Sequence, residues 1–178
     1  KRLTKNKSFC SLIVGNGQSI LFEKYAKDFS YSQPQTIMSI TKMFANLFIG
    51  ELLKNKKINL NKNVSYYLPK IGSGYANAKV QDILNMNVVN AYTEDYTKAY
   101  SSSFMHEPVG GWRLPKSGQI KLSQEQYLNT IKNIKNRDLK NNSEYALYKS
   151  ANTDVIGLII EKISGIPLRD WVLSTVEA

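Results

Sequence analysis

Two strand-like runs, Phe9–Val14 and Ser19–Tyr25, meet at Gly15-Asn16-Gly17-Gln18, and the rest of the chain offers them no third partner. Asn-Gly between β-rich runs is a strong hairpin signal, because the central residues of the favoured turn take positive φ. A lone hairpin is marginal in water at best. The pair therefore predicts part of an antiparallel sheet whose C-terminal strands are missing from these 178 residues. The residues after Tyr25 read as helix and loop, and strands at one end succeeded by a run of helices give an α+β fold class.

Helical spacing is clearest in Ile40, Met43, Phe44, Leu47, Phe48 and Leu52, which predict a buried face on a helix from Ile40 to Leu53. Lys54 to Lys57 supply cations that suit its C-terminal dipole. Ile58 to Pro69 reads as a tight connection anchored by Ile58, Leu60, Val64 and Leu68; Gly72-Ser73-Gly74 reads as a flexible turn, and Val80 to Met86 as a short helix. Residues 87–122 are irregular, with His106 and Trp112 near the middle, and a loop of that length is usually a lid or a binding surface. Ser123-Gln124-Glu125-Gln126 predicts a capping box that opens a helix containing Tyr127, Leu128, Ile131 and Ile134. Asn136 to Ser143 is a polar loop. A helix is expected from Thr153 to Ser164, stopped by Gly165 and Pro167, and a last one from Leu168 to Val176. The expected organisation is one partial domain, with 1–35 as hairpin and connector and 36–178 as a helical region.

Hydrophobic residues at 42% and aromatics at 11% belong to a chain that can bury a core. No apolar run approaches the roughly 20 residues of a membrane span. The chain shows neither an initiator Met nor a signal-peptide pattern, as expected of a processed chain. Its net charge of +10 comes from scattered lysines that form no stripe interleaved with aromatics, so it reads as a solvated surface and predicts no nucleic-acid partner. One cysteine, Cys10, excludes an internal disulfide; it falls in a strand-like run and reads as a small buried side chain. With a single histidine, His106, it cannot build an ordinary zinc site.

Chemistry enters at Ser39-Ile40-Thr41-Lys42. One helical turn places the Ser39 hydroxyl and the Lys42 amine on one face, with Ser39 at a helix N-terminus whose N–H groups favour a developing oxyanion. Chance supplies roughly one Ser-x-x-Lys in a chain of this length, so the context must carry the case. A neutral Lys42 could take the serine's proton. Tyr148-Lys149-Ser150-Ala151-Asn152 could supply the third group: if extended, residues 148, 150 and 152 point to one side. The alternative is structural, with Asn152 capping the helix and Tyr148 packing. A Ser-His-acid triad through His106 is the remote competitor.

The order Ser-x-x-Lys, helical insert, Tyr/Ser-x-Asn, helix resembles the serine β-lactamase and penicillin-binding-protein superfamily, in its class C-related branch. Residues 11–25 (SLIVGNGQSILFEKY) resemble its opening hairpin and 38–69 (MSITKMFANLFIGELLKNKKINLNKNVSYYLP) its nucleophile helix and the turn after it. Residues 80–86 (VQDILNM) and 148–165 (YKSANTDVIGLIIEKISG) fit as well, and Tyr-x-Ser-x-Asn-Thr-Asp with Thr93-Glu94-Asp95-Tyr96 upstream is most similar to the 6-aminohexanoate-dimer hydrolase and esterase-like group. The resemblance implies a β-lactamase/transpeptidase-like fold and a serine hydrolase acting through an acyl-enzyme on a small-molecule amide, ester or β-lactam. Within it, Ser39 matches the nucleophile, Lys42 the general base and Tyr148 the tyrosine that protonates the leaving group and later helps activate water. Ser150 and Asn152 match the element that holds lysine and substrate; Trp112, in the 91–122 loop, is placed at the substrate.

In the lactamases of that branch the tyrosine stands two residues before the asparagine, where this chain has Ser150; Tyr145 is a competitor for the role. Literal Tyr-x-Asn also occurs at Tyr75-Ala76-Asn77 and Tyr127-Leu128-Asn129. Asn87-Val88-Val89-Asn90 replaces the usual Thr-Ser-Gly, and Lys116-Ser117-Gly118 spells the third motif in the wrong order and reads as a loop turn. No cofactor or metal is implied. A D-Ala-D-Ala peptidase and a non-catalytic sensor are the alternatives, and the resemblance leans towards a periplasmic or extracellular location.

Overall fold

The computed structural model describes residues 3–118, 120–135, 138–142 and 145–177, so parts of the expected polar loop Asn136 to Ser143 lie outside the described residues. The chain divides into two compact units, Lys1–Ser39 and Ile40–Ala178.

In the first, β1 (Ser11–Gly15) and β2 (Ile20–Tyr25) pair antiparallel, Ile13 opposite Glu23 and Val14 opposite Phe22, with the register shifting at Gly15. The turn is made as its residues predict: the Asn16 side-chain oxygen accepts from the N–H of Gln18 (3.0 Å) and Ser19 (2.9 Å), and Gly17 takes φ +87°. Among the described residues the sheet has only these two strands, and Ile13, Val14, Ile20, Leu21 and Phe22 are all exposed. Cys10 lies just before β1 and is half-buried, not buried as expected.

The second unit is helical and is built around α7 (Ser150–Ser164). Ala151, Asn152, Val155, Ile156, Ile159 and Ile160 are buried along it, a face far broader than a narrow stripe, as a central helix requires. Against it pack α1 (Lys42–Lys54), α2 (Val64–Tyr67), α4 (Val80–Leu84), α6 (Gln124–Thr130) and α8 (Leu168–Glu177). Trp171 of α8 stacks on Phe48 of α1 with centroids 4.5 Å apart. Gly165 stops α7 in the left-handed conformation, its N–H donating to Glu161 O at 2.9 Å.

Four expectations need correction. The buried face of α1 is Ala45, Phe48, Ile49 and Leu52, whereas Ile40, Met43 and Leu47 of the expected stripe are exposed. The apolar stripe is wider than the surface α7 and α8 offer it. Gly72-Ser73-Gly74 is no flexible turn: it enters the helical turn α3 (Ser73–Ala76), and a Cβ on Gly72 would lie 2.5 Å from Asn129 O and 2.6 Å from Ile131 O. Here glycine permits two backbones to touch. The same crossing ends α6 at Thr130, so Ile131 and Ile134 fall beyond the helix; its capping box forms as expected. Last, α7 starts one turn early, at Ser150. Within the irregular 87–122 stretch the chain makes one short helix, α5 (Ser102–His106). Among the described residues no helix is long and apolar enough to cross a membrane.

Candidate active site

Ser39 lies in a 3-10 turn, Met38–Thr41, that leads directly into α1, so the helix proper begins at Lys42. Met38, immediately before the serine, has φ +46°, a conformation that costs a non-glycine residue about 1–2 kcal/mol. The left-handed residue thus stands immediately before the candidate nucleophile. Ser39 closes the first unit; the other candidates stand in the second.

There, Lys42 meets the segment of Tyr148. Lys42 Nζ lies over the Tyr148 ring, 5.7 Å from its centroid, within cation–π range. Lys42 is half-buried and Tyr148 is 45% exposed, which is open enough for a ligand to reach the phenol. A cavity of about 40 Å³ beside Lys42, lined also by Asn46, Met86, Thr153 and Ile156, has room for water but not for an amide substrate.

The segment carrying Tyr148 is tied along its length to residues 86–94. Leu147 N–H donates to Met86 O at 2.7 Å, and the buried Lys149 ammonium to Tyr92 O at 2.6 Å. Ser150 N–H and Oγ each donate to a carboxylate oxygen of Glu94 at 2.8 Å. Tyr96 O–H donates to Glu94 as well and lies 3.1 Å from Ser150 Oγ. Burial lowers the Lys149 amine, although Glu94's charge opposes the shift. Burial and then Glu94 push the Tyr96 phenol up to about 12.

The sequence reading is corrected at Asn152 and Ser150. Both sit in the first turn of α7, so residues 148, 150 and 152 do not share an extended face. Asn152 is fully buried; its oxygen accepts from Tyr75 O–H at 3.0 Å and its amide lies 3.5 Å from Met86 Sδ. It holds the core together under the site, and it is not the helix cap either, since that position is Lys149. Ser150 directs its hydroxyl to Glu94. Trp112 is 68% exposed in the turn after α5, its backbone N–H donating to Glu107 O, and no described contact joins it to Lys42 and Tyr148. Tyr75 and Tyr127, from the literal Tyr-x-Asn matches, are buried in the core, whereas Tyr145 is exposed. Glu94, given no role from sequence, is the residue that reading missed; an acidic side chain 56 residues away is a cap that local pattern cannot reveal.

His106 is accounted for elsewhere. It is buried, stacks on Tyr127 at 4.4 Å, and its ring nitrogens face Tyr92 O–H (3.3 Å) and Gln124 Nε2 (3.0 Å). Its Nε2 is also 3.4 Å from Asp154. Burial depresses its pKa to about 4 and raises the Asp154 carboxyl to about 6, against the pull of Lys42. Among the described residues no three His, Cys, Asp or Glu converge as a metal site needs.

The chain is 29% identical over 157 residues to the 6-aminohexanoate-dimer hydrolase of Paenarthrobacter ureafaciens, matching 88% of this chain and 38% of that protein. A solved structure from Bacillus anthracis, provisionally assigned as a 6-aminohexanoate-dimer hydrolase, superposes with TM-score 0.71 at 17% identity, over 90% of this chain and 41% of its own. The fold is β-lactamase/transpeptidase-like. A D-stereospecific amidohydrolase from a Streptomyces species shares that fold, at TM-score 0.58 and 19% identity over 86% of this chain and 44% of its own. No family model matches the chain. The resemblance read from the motifs therefore holds, and the chain spans about two fifths of the length of these β-lactamase/transpeptidase-like relatives.

Proposed function

We propose that this chain is the nucleophile-bearing part of a serine hydrolase that cleaves small amides or esters through an acyl-enzyme. The observation that carries the reading is the Lys42 amine over the Tyr148 ring, which unites motifs from opposite ends of the helical unit. In this mechanism Lys42 takes the proton from Ser39 as its oxygen attacks the carbonyl carbon. Tyr148 protonates the departing amine or alkoxide, and the acyl group stays on Ser39 until water removes it. Asn152 acts from below, as a buried bond to Tyr75 that fixes α7.

The substrate class follows the relatives. One is named for the 6-aminohexanoate dimer and another as a D-stereospecific amidohydrolase, which favours a small amide over a peptidoglycan stem. β-Lactams are expected to acylate the same serine.

The test is mass spectrometry of the whole protein that carries this chain after treatment with a fluorophosphonate or a penicillin. A single adduct on Ser39 is expected, with Ser39→Ala blocking it and lowering kcat by about 10⁴–10⁶-fold. No adduct from either reagent overturns the proposal.

A further inference from the structure

We propose that Glu94 is a positioning residue for Tyr148: its carboxylate holds the first turn of α7, and so keeps the phenol at the Lys42 amine. The inference rests on the acyl-enzyme reading above and adds to it the group that sets the geometry of its acid.

α7 opens without a cap of its own. Lys149, at the N-cap, makes no side-chain cap bond, so the first N–H groups need an acceptor from elsewhere. Glu94 supplies it. One carboxylate oxygen receives Ser150 N–H, and the other receives the Ser150 hydroxyl and the Tyr96 phenol. A carboxylate at this point also meets the positive end of a 15-residue helix dipole. The adjacent Lys149 ammonium is anchored independently on Tyr92 O, two residues before Glu94. Residues 149 and 150 are thus fastened to 92 and 94, while the ring of Tyr148 itself is 45% exposed. Leu147 N–H is held on Met86 O and Ser150 N–H on Glu94, so the backbone that carries the ring is fastened on either side of it, and Glu94 supplies the fastening on the α7 side.

A helix cap with no further consequence would make a different prediction. Its loss would lower stability and reduce all activities together. A positioning role predicts a split, because only poor leaving groups need Tyr148's proton. In the whole protein, Glu94→Ala is expected to lower kcat for the 6-aminohexanoate dimer by about 10²-fold, as misplacement of a reacting group does, while changing KM little. The burst of 4-nitrophenol released from 4-nitrophenyl acetate, which reports acylation with a leaving group that departs as the anion, is expected to fall in rate less than about threefold. Tyr148→Phe should give the same split, and Glu94→Asp should recover part of the loss.

A second measurement needs no substrate. With 3-fluorotyrosine at position 148, Lys42→Met should move the fluorine resonance in the Glu94 protein. The same replacement should move it little in the Glu94→Ala or Glu94→Gln background, because the ring has left the amine. A resonance that responds equally in all backgrounds overturns the proposal, as does an equal loss on both substrates. If Tyr148→Phe splits the substrates and Glu94→Ala does not, the positioning role fails and the mechanism stands. If Ser39→Ala retains turnover, the mechanism itself fails, and the fluorine experiment still decides whether Glu94 places the ring.

Discussion

The hairpin holds Ile13, Ile20, Leu21 and Phe22 out to solvent, whereas α7 removes Val155, Ile159 and Ile160 from it completely. Both are apolar sequences, and the difference lies in what each needs to be covered. A helix can bury its sides against several short helices supplied by nearby sequence, and α1, α2, α4, α6 and α8 do this for α7. A two-stranded sheet has no neighbour to pair with unless more strands arrive. α1 shows both conditions at once: Phe48, Ile49 and Leu52 are buried, while Met43 and Leu47 on its other side, and Ile40 just before it, are exposed. Packing in the helical unit can therefore be tested by deletion, and the hairpin serves as the control.

The strongest test of the contrast is Ile159→Ala. The side chain is fully buried in the central helix, so its loss removes transfer energy and leaves a cavity. Destabilisation of about 2–5 kcal/mol is expected from urea unfolding. A loss below about 1 kcal/mol would mean that α7 is not the centre of the unit.

Next comes Gly72→Ala, which adds one methyl where two backbone oxygens lie at 2.5 and 2.6 Å. Neither oxygen is the end of a flexible side chain, so the 129–131 segment must move, at about 1–3 kcal/mol. Wild-type stability in this variant would show that the crossing is loose.

That crossing also marks where sequence stops being informative. The turn at Asn16-Gly17 and the capping box at Ser123–Gln126 are legible because each partner lies within a few residues, and local chemistry decides them. Gly72–Gly74 has the local composition of a free turn, because the oxygens that confine it belong to residues 129–131. The start of α7 escapes the sequence by a turn for the same reason: its cap is Glu94, which nothing near Ser150 announces. In the site, the Ser39–Lys42 spacing and the meeting of Lys42 with Tyr148 are legible from motif order. The burial of Asn152 against Tyr75, and the exposure of Trp112, depend on packing that no motif encodes.

A smaller effect separates two charges inside the helical unit. His106 is neutral in the fold down to pH of about 4, while the unfolded chain takes up its proton near 6.5, so its contribution falls as pH drops through that interval. The slope is about 1.4 kcal/mol per pH unit. Asp154 acts in the opposite sense: its carboxyl is raised to about 6, so the fold binds a proton there before the unfolded chain does, and stability is gained as pH falls from 6 towards 3.8. Its side chain is 36% exposed, so solvent screening makes this the weaker contribution. Unfolding curves between neutral pH and a pH just above the lowered His106 value should show Asp154→Asn losing stability more steeply than wild type and His106→Gln losing none. Parallel slopes in all three would remove the pair from the account.

The hairpin supplies the smallest effect. Leu21 is as apolar as Ile159, but it is 64% exposed in β2. Truncation there removes little area from contact with protein, and Leu21→Ala should change the unfolding free energy of the chain by no more than about 0.5 kcal/mol. The same substitution in the whole protein discriminates further. If additional strands cover this face there, the cost should rise towards the roughly 2–5 kcal/mol of a core leucine, close to that of Ile159→Ala. If it stays near zero in both, β2 presents that face to solvent in the whole protein too, and the contrast between hairpin and helix belongs to the fold itself.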